Sequence, residues 1–127
     1  MTAQPADELN EGPQPIGRFD WERIIRRVTL PPSAKFLGFV LATYADPDGS
    51  RIRPGTERLA RVMGVSVPTV KRSLAVLRSG GFIVRAKQGN RWANQADEYR
   101  LTLPVELLEM QMLGPDETAT LGITSDT

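Results

Sequence analysis

The sequence contains no cysteine and no histidine. Without thiols there are no disulfides, no thiolate metal ligands and no cysteine nucleophile. Without imidazole, the commonest general base and the commonest zinc ligand are both missing. Long apolar runs are lacking too: nothing approaches the roughly 18 consecutive apolar residues of a membrane-spanning helix. Residues 1–17 are polar and acidic, so the expectation there is a chain without a secretory signal. No glycine-rich phosphate loop is followed by lysine, and no nucleophile stands beside a base. Asp46 and Asp48 are close in sequence, but a turn rich in Asp, Pro and Gly accounts for them, and Asp97-Glu98 begins a strand. These absences leave a cytoplasmic protein with no metal, no cofactor and no enzymatic activity as the expectation.

What is present fits one domain. The chain has 127 residues, of which 40% are hydrophobic, enough for one modest core. Its net charge of +1 conceals a strong segregation. Residues 51–95 carry ten bases against the single acid Glu57. Before them, Asp7, Glu8 and Glu11 precede the first base, Arg18; after Arg100 there are five acids and no base. An acidic–basic–acidic chain concentrates positive potential in its middle, where an anionic polymer can be held.

Proline and glycine punctuate the chain. Pro5, Gly12, Pro13, Pro15 and Gly17 make residues 1–17 a flexible arm, and Gly114-Pro115 with many Thr and Asp makes 113–127 a disordered acidic tail. Between them, residues 18–112 form the domain. Asp20 is expected to cap a helix over 21–28, with Trp21, Ile24, Ile25 and Val28 at helical spacing. After Pro31-Pro32, Ser33 is expected to cap a helix over 33–45 that is apolar on nearly all sides. That helix needs cover from the 21–28 helix, the core or a second subunit. Asp46-Pro47-Asp48-Gly49 is a turn, and Arg51-Ile52-Arg53 a very short strand. Thr56 is expected to cap a third helix whose inner face is Leu59, Ala60 and Met63, with Gly64 ending it. A fourth helix starts at Ser66 or Val67 and stops at Gly80-Gly81. Residues 82–84 begin a strand, 88–96 form a polar loop, and 98–103 return with Tyr99, Leu101 and Leu103 alternating with Glu98, Arg100 and Thr102. Pro104 then opens a final short helix through Met112 with Val105 and Leu108 inward.

The sharpest local signal runs from Thr56 to Leu74. Ala60 is small where two helices would touch, Gly64 sits where the turn needs a positive φ, and Leu59, Met63, Val65, Val70 and Leu74 share a core. This stretch resembles the bacterial helix-turn-helix, and Val65-Ser66-x-x-Thr69-Val70 is similar to the start of recognition helices in winged regulators. With the 82–103 hairpin, the resemblance extends over residues 33–103 and is to the winged helix-turn-helix group, which includes GntR-type and MarR-type regulators and parts of phage and plasmid proteins. It implies an α+β fold, mostly helical, with a small antiparallel hairpin as wing and flanking N- and C-terminal helices. It also implies that the helix over 66–79 enters the major groove of double-stranded DNA.

A helical wheel separates the faces of that helix. Val70, Leu74 and Leu77 lie inward; Pro68, Arg72, Ala75 and Ser79 lie outward, flanked by Thr69 and Lys71, with Ser66 at the start. Arg72 is the first choice for a base edge, because a guanidinium bonds both acceptors of guanine at once. Lys71 and Thr69 suit phosphate or a neighbouring base; Pro68 and Ala75 leave room for close approach. A merely solvated face is the alternative for Arg72 and Lys71. Pro68 disfavours helical geometry at Val67, so either Val67 is a strained first-turn residue or the helix begins at Pro68. The wing offers Lys87, Gln88, Asn90, Arg91 and Asn94 to backbone or minor groove, or is simply a mobile polar hairpin. Trp92 is expected to pack back on the hairpin, with insertion between bases as the alternative. Arg51 and Arg53, like Arg58 and Arg61, are phosphate clamps or solubilising charges, and backbone amides near Thr56 and Glu57 suit a phosphate.

The functional expectation is a bacterial, phage or plasmid transcription regulator, a repressor associated with the nucleoid and acting as a homodimer. The over-apolar 33–45 helix and the extra terminal helices motivate the dimer. One alternative is a replication-initiation, partition or excision accessory protein; a second is a protein-interaction module whose basic span binds an acidic partner. No small-molecule effector is evident, and the acidic tails are candidates to compete with DNA.

Overall fold

Residues 12–117 are the part of the chain that the computed structural model describes. In chain order they form β1 (Gln14–Pro15), α1 (Arg18–Ile25), α2 (Pro32–Tyr44), α3 (Thr56–Met63), α4 (Val67–Ser79), β2 (Ile83–Lys87) and β3 (Glu98–Leu103), with 3-10 turns at Arg91–Ala93 and Leu107–Glu109. The architecture is α+β: helices packed with a small antiparallel sheet of order β1-β3-β2.

Trp21 organises the N-terminal half. It is fully buried, and its indole N–H is shared between the carbonyls of Phe82 and Thr102 at 3.0 Å each. Across from it, Gly38 of α2 leaves the space: a Cβ there would stand 3.1 Å from the indole Cη2. Helix α2 buries Ala34, Leu37, Gly38, Val40, Leu41 and Ala42 against α1, α3 and α4. Much of its apolar surface is thus covered within one chain, while Phe36 on the same helix is exposed.

Three helix starts differ from expectation. α1 begins at Arg18 with Gly17 at the cap position, so Asp20 lies in the first turn and pairs with Arg23; it ends at Ile25 rather than Val28. α2 begins at Pro32, whose missing N–H is not needed there, and Ser33 is inside the helix. Thr56 is the first residue of α3, and Gly55 precedes it at φ +82°. In each case the nearest Ser, Thr or Asp lies inside the helix rather than at its cap; at α2 a proline and at α3 a glycine of positive φ precedes the first turn.

The helix-turn-helix corner forms as its residues require. Gly64 is left-handed at φ +73°, and the Gly64 and Val65 N–H groups both reach the Ala60 carbonyl. α4 then starts at Val67 with Pro68 next, both within the first turn, which settles the two alternatives in favour of Val67. Its far end closes through Gly80-Gly81: Gly81 N–H bonds the Arg78 carbonyl and Phe82 N–H the Leu77 carbonyl, a Schellman motif with Gly81 at φ +83°.

β2 and β3 pair Ile83↔Leu101, Val84↔Arg100 and Arg85↔Tyr99, then a bulge shifts the register to Lys87↔Glu98. The short 51–53 strand is a single bridge, Ile52↔Tyr99. Thr102 breaks the expected alternation: it is buried, its hydroxyl donating to the Gly81 carbonyl, because Trp21 covers that face.

Both flanks are more ordered than expected. Gln14 and Pro15 pair with Leu103 and Thr102 on the edge of the sheet, so 12–17 is not part of a loose arm; proline is tolerated on such an edge. The C-terminal helix is reduced to the Leu107–Glu109 turn, with Val105 and Leu108 exposed. Beyond that turn, backbone pairing holds residues 111–113 against 27–29: Thr29 N–H bonds the Gln111 carbonyl, Leu113 N–H the Arg27 carbonyl, and Met112 bridges Val28. Arg26 and Glu117 pair at 2.7 Å beside these contacts. The remainder of the expected arm and tail, 1–11 and 118–127, lies outside the described residues.

Candidate nucleic-acid interface

Helix α4 is held by its inner side. Val70, Leu74 and Leu77 are buried with Ser73 against α2, α3 and β2. The opposite side is open: Ser66, Pro68, Lys71, Arg72, Ala75, Arg78 and Ser79 are exposed, and Thr69 is half-buried. The start of the helix is a small polar cluster. Ser66 Oγ accepts the Thr69 N–H at 3.3 Å and lies 3.0 Å from Thr69 Oγ1, and that hydroxyl accepts from Arg72 at 3.2 Å. Arg72 is therefore steadied by a neutral neighbour, which leaves its charge uncompensated.

The cations divide into two kinds. Arg51 faces Asp46 at 3.7 Å, Arg53 faces Glu98 at 3.7 Å and Arg85 faces Asp97 at 3.5 Å. Such long, exposed pairs are weak, yet they balance charge locally. By contrast, among the described residues Arg58, Arg61, Lys71, Arg72, Arg78, Lys87 and Arg91 have no ion pair. Of the two expected phosphate clamps beside Ile52, Arg51 and Arg53, each is thus tied to a carboxylate, while Arg58 and Arg61 on α3 are not.

The wing is a built loop. Asp97 accepts the Gly89 N–H at 2.7 Å; Asn90 and Gln95 exchange backbone hydrogen bonds at 3.0 and 2.9 Å. Asn90 Oδ1 accepts from the N–H groups of Trp92 at 2.9 Å and Ala93 at 3.4 Å, so this oxygen serves the loop's own turn. Lys87 and Arg91 are exposed. Trp92 does not pack back on the hairpin: it is 93% exposed, because the 3-10 turn aims it away from the strands.

Two grooves join these elements, and neither was legible in the sequence. One, of about 660 Å³, runs between Arg53, Arg58 and Arg61 on one wall and Arg91, Asn94 and Gln95 on the other. A second is lined by Ala75, Arg78 and Ser79 of α4 and Arg85 of β2. Tyr99 lines the first groove, and its ring lies 6.0 Å from the guanidinium of Arg78 in the second. Burial, with Asp97 beside it, pushes the Tyr99 phenol above its ordinary value. The only sequence signal for Arg78 and Arg85 was their membership of the basic span.

The geometry is that of two helices crossing through a glycine turn, the second with an open basic side, and residues 28–83 match the family model of a helix-turn-helix domain. The chain carries a helix-turn-helix domain. With the β2–β3 hairpin beyond α4 the fold is a winged helix-turn-helix, and the domain supports DNA as a partner. The match is to the general helix-turn-helix domain and singles out neither a GntR-type nor a MarR-type subgroup. No curated protein and no solved structure matches the chain. Among the described residues, no helix is long and apolar enough to cross a membrane, and no cluster of carboxylates could hold a metal ion.

Proposed function

We propose that the protein is a non-enzymatic, cytoplasmic transcription regulator that binds specific sequences of double-stranded DNA. One observation carries the reading: the exposed side of α4 presents Lys71 and Arg72 without a carboxylate partner among the described residues. Arg72 reads a base edge, with Thr69 fixing its direction. Lys71, Arg58, Arg61 and the wing cations Lys87 and Arg91 hold phosphates.

Selection of bound fragments from a random duplex pool tests it. Sites overlapping promoters support repression; clustered direct repeats at an origin move the role to replication initiation. On the selected site, Arg72→Ala should cost about 1–3 kcal/mol and relax base choice at one position. Arg58→Ala should instead weaken selected and random DNA alike and lower the salt slope by about 1. No retardation of any duplex at low salt would sink the proposal and favour an acidic protein partner.

A further inference from the structure

The protein has two tryptophans with opposite environments. Trp21 is fully buried, whereas Trp92 at the wing tip is 93% exposed. An indole left in water forgoes a large gain from burial, and this one is held there rather than loosely hung. Asn90 Oδ1 clamps the Trp92 and Ala93 N–H groups, the Asn90–Gln95 pair closes the loop behind them, and Asn94 adopts a left-handed conformation at φ 55° to complete the turn. Its immediate surroundings are cationic and polar: Arg91 precedes it, and Arg91 with Asn94 and Gln95 faces Arg58 and Arg61 across the groove.

We propose that Trp92 is a base-stacking residue, which places its indole against the face of a nucleobase in duplex DNA beside the α4 contact. The inference rests on the DNA-binding reading above and goes beyond it. A hydrophobic protein groove or a lipid surface would call for large apolar neighbours around the indole, and the tip offers Asn90, Arg91, Asn94 and Gln95, with only the small Ala93 apolar beside it. Cations that hold a phosphate chain next to an aromatic face match nucleic acid, whose bases are flat and whose backbone is anionic. In a duplex, an inserted side chain partly unstacks a base step and kinks the helix. Trp92 therefore bends the DNA it touches, and its contribution is independent of counterion release because it carries no charge.

The test uses the full chain and a selected duplex labelled at both ends for energy transfer. Acrylamide quenching of intrinsic fluorescence reports mainly Trp92, since Trp21 is enclosed. Duplex binding should reduce quenching several-fold and shorten the end-to-end distance. Trp92→Ala should weaken binding about tenfold and abolish the shortening, with the salt slope unchanged. Trp92→Phe should retain most of both effects, and circular dichroism checks that the variants fold. If the complex forms while Trp92 stays fully quenchable and Trp92→Ala binds as tightly, the inference is overturned. If no duplex is retarded at all, the DNA-binding reading has failed first, and the two failures are told apart by the retardation itself.

Discussion

At the scale of single residues, two glycines separate conformational strain from lack of space. Gly64 is at φ +73° with nothing within 4 Å of where a Cβ would be. Gly81 is at φ +83°, and there a Cβ would stand 2.9 Å from Pro104 Cβ and 3.2 Å from Pro104 Cα. Gly64→Ala is expected to cost about 1 kcal/mol, from backbone strain alone. Gly81→Ala should cost a further 1–3 kcal/mol or about that, from overlap in a packed corner. Urea denaturation of both variants checks the order; equal losses would mean that Pro104 moves aside freely. Tyr99 supplies a pH dependence. Its folded phenol is held above the ordinary value of 10.0, chiefly by burial and then by Asp97, with Arg78 and Arg85 opposing. A raised folded value means that the native state keeps its proton where the unfolded chain loses it. The contribution is complete below the unfolded value and is lost as pH rises through the folded one. Tyr99→Phe should flatten this alkaline limb, measured as denaturation midpoint against pH.

At the scale of elements, α4 depends on its first turn. Ser66→Ala removes the oxygen that receives the Thr69 N–H and should cost about 1 kcal/mol. It should also free the Thr69 hydroxyl that steadies Arg72, so DNA discrimination should fall with stability. Thermal melting and competition binding on one variant follow the two effects; unchanged discrimination would mean that Arg72 needs no support. This element was the most legible in the sequence, because a 3.6-residue period sorts buried Val70, Leu74 and Leu77 from exposed Pro68, Arg72, Ala75 and Ser79 without knowledge of the neighbours. β3 was read with its bounds for the same reason, through its period of two. What failed was whatever distant chain decides. β1 has two residues, one of them proline, and carries no period; only its place beside β3 makes it a strand. The apolar spacing of Val105, Leu108 and Met112 suggested a helix, but 105–109 makes only turns and a 3-10 turn, and the pairing of 111–113 with residues 27–29 ends any helical continuation. Trp92 was assigned to the hairpin by its apolar character, which a six-residue loop closed on its own hydrogen bonds overrode.

At the scale of the molecule, Trp21 ties the N-terminal helix to both ends of the hairpin through the Phe82 and Thr102 carbonyls. Trp21→Phe leaves those carbonyls without their donor and opens a void beside Gly38, for an expected loss of about 3 kcal/mol. Because the same side chain seats the hairpin behind α4, chemical denaturation followed by circular dichroism, which reports the helices, and by the fluorescence of buried Trp21, which reports its seat on the hairpin, should give coincident transitions, both shifted in a variant such as Leu37→Ala as well; separate transitions would show that helices and hairpin unfold independently. The Gly80-Gly81 corner has a consequence for any target. Two hydrogen bonds and the Pro104 ring lock the angle between helix and hairpin, so the two arms behave as a caliper of fixed opening. One base pair inserted between the steps they touch would swing the second arm's footing by about a tenth of a turn around the duplex axis, and the protein has no joint there with which to follow it.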